Sequence, residues 1–280
     1  MILSIFAYFQ PKPSSIFGFL IILALLSAGC SKFRKIEKSE DWRVKYEAGL
    51  NYYTNKDYYR ASILFESILP IVRGLPEGEK VEFFLAYCQY NERMFLLASD
   101  QFKTFYETYG RSSYAEEANF MYAYSLYASS PDHNKDQSSS IQAMNAMQVF
   151  LNRFPGSQFM TKAVDVITVS QEKLEKKGFE NAKQYLKLKM YKAAIVAFDD
   201  FKKNFPDSKY LEESAYLKVV AEFELAKVSF TNKQLERYTA TLEYYQELVD
   251  NFPNSPFLKD AQRFYTESLN QVNKLKNNKI

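Results

Sequence analysis

Phe205-Pro206-Asp207-Ser208-Lys209-Tyr210 reads as the end of one helix and the start of another. Pro stops the first, and Ser is placed to accept backbone N–H bonds at the head of the second. The same aromatic–Pro/Gly–x–Ser–x–aromatic pattern recurs as Tyr109-Gly110-Arg111-Ser112-Ser113-Tyr114, Phe154-Pro155-Gly156-Ser157-Gln158-Phe159 and Phe252-Pro253-Asn254-Ser255-Pro256-Phe257. Twelve residues before each Pro or Gly stands a small residue, with larger ones four and seven places after it. These stripes are Ala98/Phe102/Phe105, Ala143/Met147/Phe150, Ala194/Phe198/Phe201 and Thr241/Tyr245/Leu248. A fifth, Ala61/Phe65/Ile68, leads to Arg73, Gly74 and Pro76. Positions i, i+4 and i+7 share one helical face, so each stripe packs inward, and its small member lets a neighbouring helix come close.

The preceding segments repeat as well. Gly49/Ala86/Ala123, Tyr46/Phe83/Phe120, Leu50/Tyr87/Tyr124 and Tyr53/Tyr90/Tyr127 each recur at a spacing of 37. The unit is a hairpin of two amphipathic helices that must stack on its neighbours to hide its apolar face. The sequence therefore predicts an all-α fold, a right-handed α-solenoid of five hairpins. Repeats one to three span 41–156; repeats four and five, joined by a long helix, span 157–275, ahead of a frayed tail at 276–280. Stripe spacings of 45, 51 and 47 follow the first spacing of 37. The extra length is assigned to a polar insertion at 129–140, a further one at 229–237, and a long helix between Ser157 and Leu188.

Composition agrees. The 280 residues include 24 Phe and 22 Tyr against 8 Gly and 9 Pro, which favours long helices over a turn-rich β-protein. One His rules out His-clustered metal sites and disfavours a His-dependent triad. A net charge of +3 is too small to imply nucleic acid. There is no Gly-rich phosphate loop, paired-Cys metal motif or nucleophile elbow. Glu116-Glu117 and Glu212-Glu213 fall in first helical turns, where acids favour the helix dipole, so they are read as structural. The chain is expected to be a binding protein, not an enzyme, with no metal and no cofactor.

Residues 1–29 carry no acid and one base, Lys12, ahead of the apolar run Ile16 to Leu26. Eleven helical residues rise about 16 Å, about half of a bilayer core, so the run reads as an export signal. Leu26-Ser27-Ala28-Gly29-Cys30 resembles the lipobox of bacterial lipoproteins, which implies cleavage before Cys30 and acylation of its thiol and amino group. Residues 30–40 then form a lipidated tether, polar and without an apolar stripe. Cys88, in the apolar run Phe83 to Cys88, is expected to be a small buried thiol.

The hairpin register resembles the tetratricopeptide repeat: Gly49 matches its small first-helix residue, Ala61, Phe65 and Ile68 its second-helix stripe, and Pro155, Pro206 and Pro253 its turn proline. Lys45, Glu82 and Asn119 depart from a position that is usually bulky. With the lipobox, total length and long helix, the chain is similar to the BamD-type outer-membrane assembly lipoproteins. That resemblance implies a non-enzymatic scaffold in the periplasmic leaflet of the outer membrane. Its C-terminal repeats would dock the POTRA-bearing barrel subunit of the assembly complex. Its N-terminal repeats would receive the aromatic-ending targeting strands of unfolded clients. The columns containing Tyr46, Tyr53, Phe83, Tyr87, Tyr90, Phe120, Tyr124 and Tyr127 would line that peptide groove, or else form core. The alternative class is another periplasmic repeat lipoprotein of envelope organisation or glycan capture.

Overall fold

The computed structural model describes residues 32–277. The export segment, Cys30 and the last three residues lie outside them. Among the described residues there are helices and no strands. The helices are α1 (Trp42–Thr54), α2 (Tyr58–Val72), α3 (Pro76–Asn91), α4 (Phe95–Thr108), α5 (Ala115–Ser129), α6 (Ser138–Arg153), α7 (Met160–Lys187), α8 (Tyr191–Asn204), α9 (Leu211–Lys227), α10 (Thr231–Asn251) and α11 (Leu258–Asn277). They form two compact units. One runs to Ser129 and includes Ala146–Ala163; the other joins Ser130–Asn145 to the chain from Val164 onward. Within each unit, helices pack on their neighbours in sequence order, as in a tetratricopeptide-like α-solenoid.

The stripes build the cores. Every stripe residue is buried except Tyr245, which is half-buried. In the first unit Ala61, Phe65, Ile68 and Val72 of α2 meet Val81, Leu85 and Cys88 of α3. Gly49 of α1 sits so close to α2 that a Cβ would lie 2.7 Å from the Phe65 ring, which explains the small residue there. In the second unit Phe179 and Ala182 of α7 pack on Ala194, Phe198 and Phe201 of α8, and α9 closes on α10 and α11 through Val219, Phe223, Tyr238, Leu248 and Phe264.

Three hairpins turn through one device. Lys56, Arg93 and Lys189 take left-handed conformations, with φ of 61°, 63° and 59°. The next N–H, from Asp57, Met94 or Met190, donates 2.9 Å back to the carbonyl of Tyr52, Gln89 or Tyr185. This is the Schellman closure of a helix C-terminus, made here without glycine.

The four punctuations are also alike. Ser112, Ser157, Ser208 and Ser255 accept from the N–H two residues on, of Tyr114, Phe159, Tyr210 and Phe257, at 2.9–3.3 Å. The aromatic supplying that N–H stacks on a first-helix ring: Tyr114 on Phe83 at 4.5 Å, Phe159 on Phe120 at 4.6 Å, and Tyr210 on Phe179 and Phe257 on Tyr216 at 4.9 Å.

Three expectations need correcting. Residues 229–237 are not an insertion loop, because α10 already begins at Thr231; its first residues, Thr231 to Lys233, are polar and exposed, while Leu235 already packs on the core. The stretch expected as a free tether is partly docked. Residues 32–37 are helical, and Phe33 is buried edge-on to Tyr52 at 5.7 Å with the Arg60 guanidinium 5.5 Å from its ring. The 129–140 insertion is shorter and more ordered than its composition implied. Buried Gln137 donates to the carbonyls of Pro131, Asp132 and Lys135 and accepts from Ser140, while Lys177 donates to Lys135 O at 2.7 Å. His133 sits half-buried in this loop.

Candidate peptide-binding site

The first helices of the first unit carry the aromatic columns, and the structure divides those columns in two. Phe83 and Phe120 are 3% exposed. They are core, not groove, because the same spacing that aligns them on successive first helices sets each beneath the aromatic of the following punctuation. Tyr46, Tyr53, Tyr87, Tyr90, Tyr124 and Tyr127 remain half-buried, each with part of its ring in solvent.

These tyrosines connect α1, α3 and α5. Tyr53 lies 4.7 Å from Phe84 and 5.6 Å from Tyr58; Tyr90 lies 6.2 Å from Tyr124, which is 5.9 Å from Tyr127. Tyr87 packs edge-on to Phe83 and Phe102 at 5.1 and 5.0 Å, and its hydroxyl donates to the Glu117 carboxylate. Tyr46 faces Trp42 at 6.4 Å, and the Arg43 guanidinium lies 4.6 Å from the Trp42 ring. Burial holds the phenols of Tyr46, Tyr53, Tyr87 and Tyr90 above their ordinary range, and for Tyr87 the bond to Glu117 adds to this. All stay protonated at neutral pH, so the surface offers uncharged rings with hydroxyl donors and acceptors. Rings of this kind bind apolar and aromatic side chains while the hydroxyls pair with a peptide backbone.

Three of the four paired acids act as struts. Glu116 accepts from Ser157 at 2.6 Å and Glu117 from Tyr87, while Glu213 pairs with Lys183 at 3.0 Å. Cys88 is buried, and desolvation pushes its thiol up to about 12, which suits packing and not nucleophilic work. Among the described residues no group of His, Cys, Asp or Glu is placed to hold a metal ion. Phe84 and Tyr114 belong to this aromatic surface but were not among the expected columns. The signal for Tyr114 was present in the punctuation, read there only as the end of a turn.

Comparison with known proteins adds the family context. The profile of the YfiO family, described as outer membrane lipoprotein, matches residues 39–213 and 191–274. The chain is 23% identical over 262 residues to the outer membrane protein assembly factor BamD of Neisseria meningitidis serogroup B (strain MC58), covering 87% of this chain and 93% of that protein. Against the factor of the same name from Rickettsia prowazekii (strain Madrid E) it is 23% identical over 253 residues, covering 90% and 97%. Against that from Caulobacter vibrioides it is 21% identical over 266 residues, covering 93% and 83%. No helix among the described residues is long and apolar enough to cross a membrane.

Proposed function

The chain belongs to the YfiO family of outer membrane lipoproteins, and from that premise we propose that it is a non-enzymatic assembly factor for outer-membrane β-barrel proteins. Acylated Cys30 moors it to the outer membrane with its repeats in the periplasm. The first three repeats receive the aromatic-ending targeting strands of unfolded clients, and the last two dock the POTRA-bearing barrel subunit. The reading is carried by the extent of the likeness: relatives named as assembly factors align along most of their own length and of this chain's.

For client capture the support is the tyrosine row. Tyr53 and Tyr90 are half-buried on successive first helices, beside rings that would flank an inserted phenyl group. In the full chain, Tyr53→Ala combined with Tyr90→Ala is expected to weaken binding of a peptide ending in Phe by about tenfold or more, since truncating an aromatic anchor at a binding hot spot costs about 2 kcal/mol or more. Far-UV circular dichroism should be unchanged. Equal affinity for the peptide would assign both tyrosines to packing and remove the groove.

A further inference from the structure

Phe33 fixes where the N-terminal end of the chain leaves the first unit. It is buried against Tyr52, near the end of α1, with the Arg60 guanidinium 5.5 Å from its ring and 5.8 Å from that of Tyr52. Arg60 is held in turn by Asp57 at 2.8 Å. Since α1 itself starts at Trp42, residues 33–41 run back along it, and the chain before Phe33 emerges at the α1–α2 turn. Cys30 stands three positions before Phe33, a stretch that extended chain covers in at most about 11 Å. An acyl group on Cys30 therefore brings a bilayer surface to this edge of the unit.

The edge has the chemistry for that contact. α1 and α3 pack together and run in the same direction, so the α1–α2 and α3–α4 turns share it. Tyr59 is 63% exposed at the first turn and Leu96 62% at the second, where Met94 and Leu97 also stand in water. Lys56 and Arg93, in their left-handed turn conformations, are exposed, as are Lys32 and Lys35 of the docked segment. None of these four cations has an ion pair with a described residue. Of the carboxylates in the two turns, Asp57 is taken up by Arg60 and only Glu92 is left. Large apolar side chains among unpaired cations suit a membrane interface: the apolar groups enter the headgroup boundary while the cations meet lipid phosphates.

We propose that Phe33 clips the acylated end to the α1–α2 turn and so lays the turn edge of the first two repeats on the anionic leaflet. The inference rests on the reading that Cys30 is acylated, and adds to the lipid a contact made by the protein itself. Tyr53 and Tyr90 lie in the last turns of α1 and α3, at this same edge, so a strand captured there is held beside the bilayer. A second copy fits less well, because pairing about a two-fold axis would set Lys56 and Arg93 against cations of their own kind.

The test uses the full lipidated chain in vesicles of phosphatidylethanolamine and phosphatidylglycerol, with Trp42→Phe removing the native tryptophan. Emission from Leu96→Trp should shift to the blue on the vesicles and be quenched by acyl-brominated lipid. Ile71→Trp should do neither, being 54% exposed but about 18 Å along α2 from Tyr59. Phe33→Ala should abolish the shift at position 96 while the chain still floats with the vesicles. Lys56→Glu with Arg93→Glu, both exposed, should cut it by about half or more with circular dichroism unchanged. If position 96 emits as in water in a chain that mass spectrometry shows to be acylated, the edge is not on the leaflet, although the function proposed above stands. If Cys30 carries no acyl group, that mooring fails and this inference falls with it. Equal shifts at positions 96 and 71 would overturn the proposal in favour of general adsorption. A shift at position 96 that grows with protein concentration in detergent alone would overturn it in favour of a second copy. A Phe33→Ala chain that keeps the full shift would overturn the clip.

Discussion

Gly49→Ala should destabilise the first unit, although Ala is the better helix former. Replacing a helix-interior Gly by Ala gains about 0.5–1 kcal/mol in propensity. Here the new methyl would stand 2.7 Å from Phe65 Cε1 and 3.0 Å from Cδ1, well inside ordinary contact. The Phe65 ring is fully buried and hemmed in by Ala61, Ile68, Val81, Leu85 and Cys88, so it has no free direction in which to move. Overpacking of this kind costs about 1–3 kcal/mol, and the closeness of the clash places it in the upper half of that range. The net expectation is a loss of about 1–2 kcal/mol. Gly178→Ala supplies the contrast. Its methyl would meet the edge of Phe205 at 3.1 Å, which is half-buried and can yield, and the buried Phe201 ring at 3.3 Å, a milder contact than the 2.7 Å at Gly49. There the two effects should cancel to within about 0.5 kcal/mol. Urea unfolding followed by far-UV circular dichroism reads both variants. The emission of Trp42, the single Trp, reports the first unit separately, which matters because a repeat array need not unfold as one step. A Gly49→Ala chain as stable as the parent, or more so, would refute the claim that α1 and α2 are in closest approach there.

The left-handed turns and the buried thiol give two further expectations. Lys56→Gly and Arg93→Gly remove a left-handed strain of about 1–2 kcal/mol each and add unfolded-state entropy, so each should raise stability by about 0.5 kcal/mol, additively in urea unfolding. A loss in either would show that the side chain stabilises its turn. Cys88 should resist alkylation at about pH 8 in the native chain and react fully in urea. Its thiol is pushed up to about 12 in the fold by burial, against about 8.5 when unfolded. The contribution to stability is therefore complete below about pH 8.5 and declines as pH climbs towards 12, so a Cys88→Ala chain should lose this part of the alkaline decline.

The second helices were legible because each has one apolar stripe and an exposed remainder, so the period alone identified the face that Ala61, Phe65 and Ile68 bury. The first helices were less so. In α3, Val81, Leu85, Ala86 and Cys88 are buried besides the aromatic side Phe83, Phe84, Tyr87 and Tyr90, so apolar residues run around most of the circumference, because a first helix touches its own partner, the preceding hairpin and the following punctuation. Periodicity then places residues on a helix without saying which face meets solvent, and so Phe83 and Phe120 stood among the groove candidates. Phe33 was missed because one aromatic makes no stripe, and its burial depends on Tyr52 and Arg60 of a distant stretch. The start of α10 was missed for the opposite reason: its first residues, Thr231, Asn232 and Lys233, are all exposed and have the composition of a loop.

The stacked pair at each punctuation explains how repeats of unequal length share one packing rule. The sequence distance from first-helix ring to punctuation ring is 31 for Phe83 and Tyr114, 39 for Phe120 and Phe159, 31 for Phe179 and Tyr210, and 41 for Tyr216 and Phe257. The centroids nevertheless stay within 4.5–4.9 Å. Extra residues therefore leave the hairpin-to-hairpin contact untouched and emerge elsewhere: in the loop that Gln137 organises, and in the added first turns of α10 that follow Phe230. A contact fixed by two rings and a Ser-bound N–H constrains only a handful of positions per repeat. Of the turns between first and second helices, α1–α2, α3–α4 and α7–α8 keep one left-handed closure, and it is the other two, α5–α6 and α9–α10, that absorb the added length.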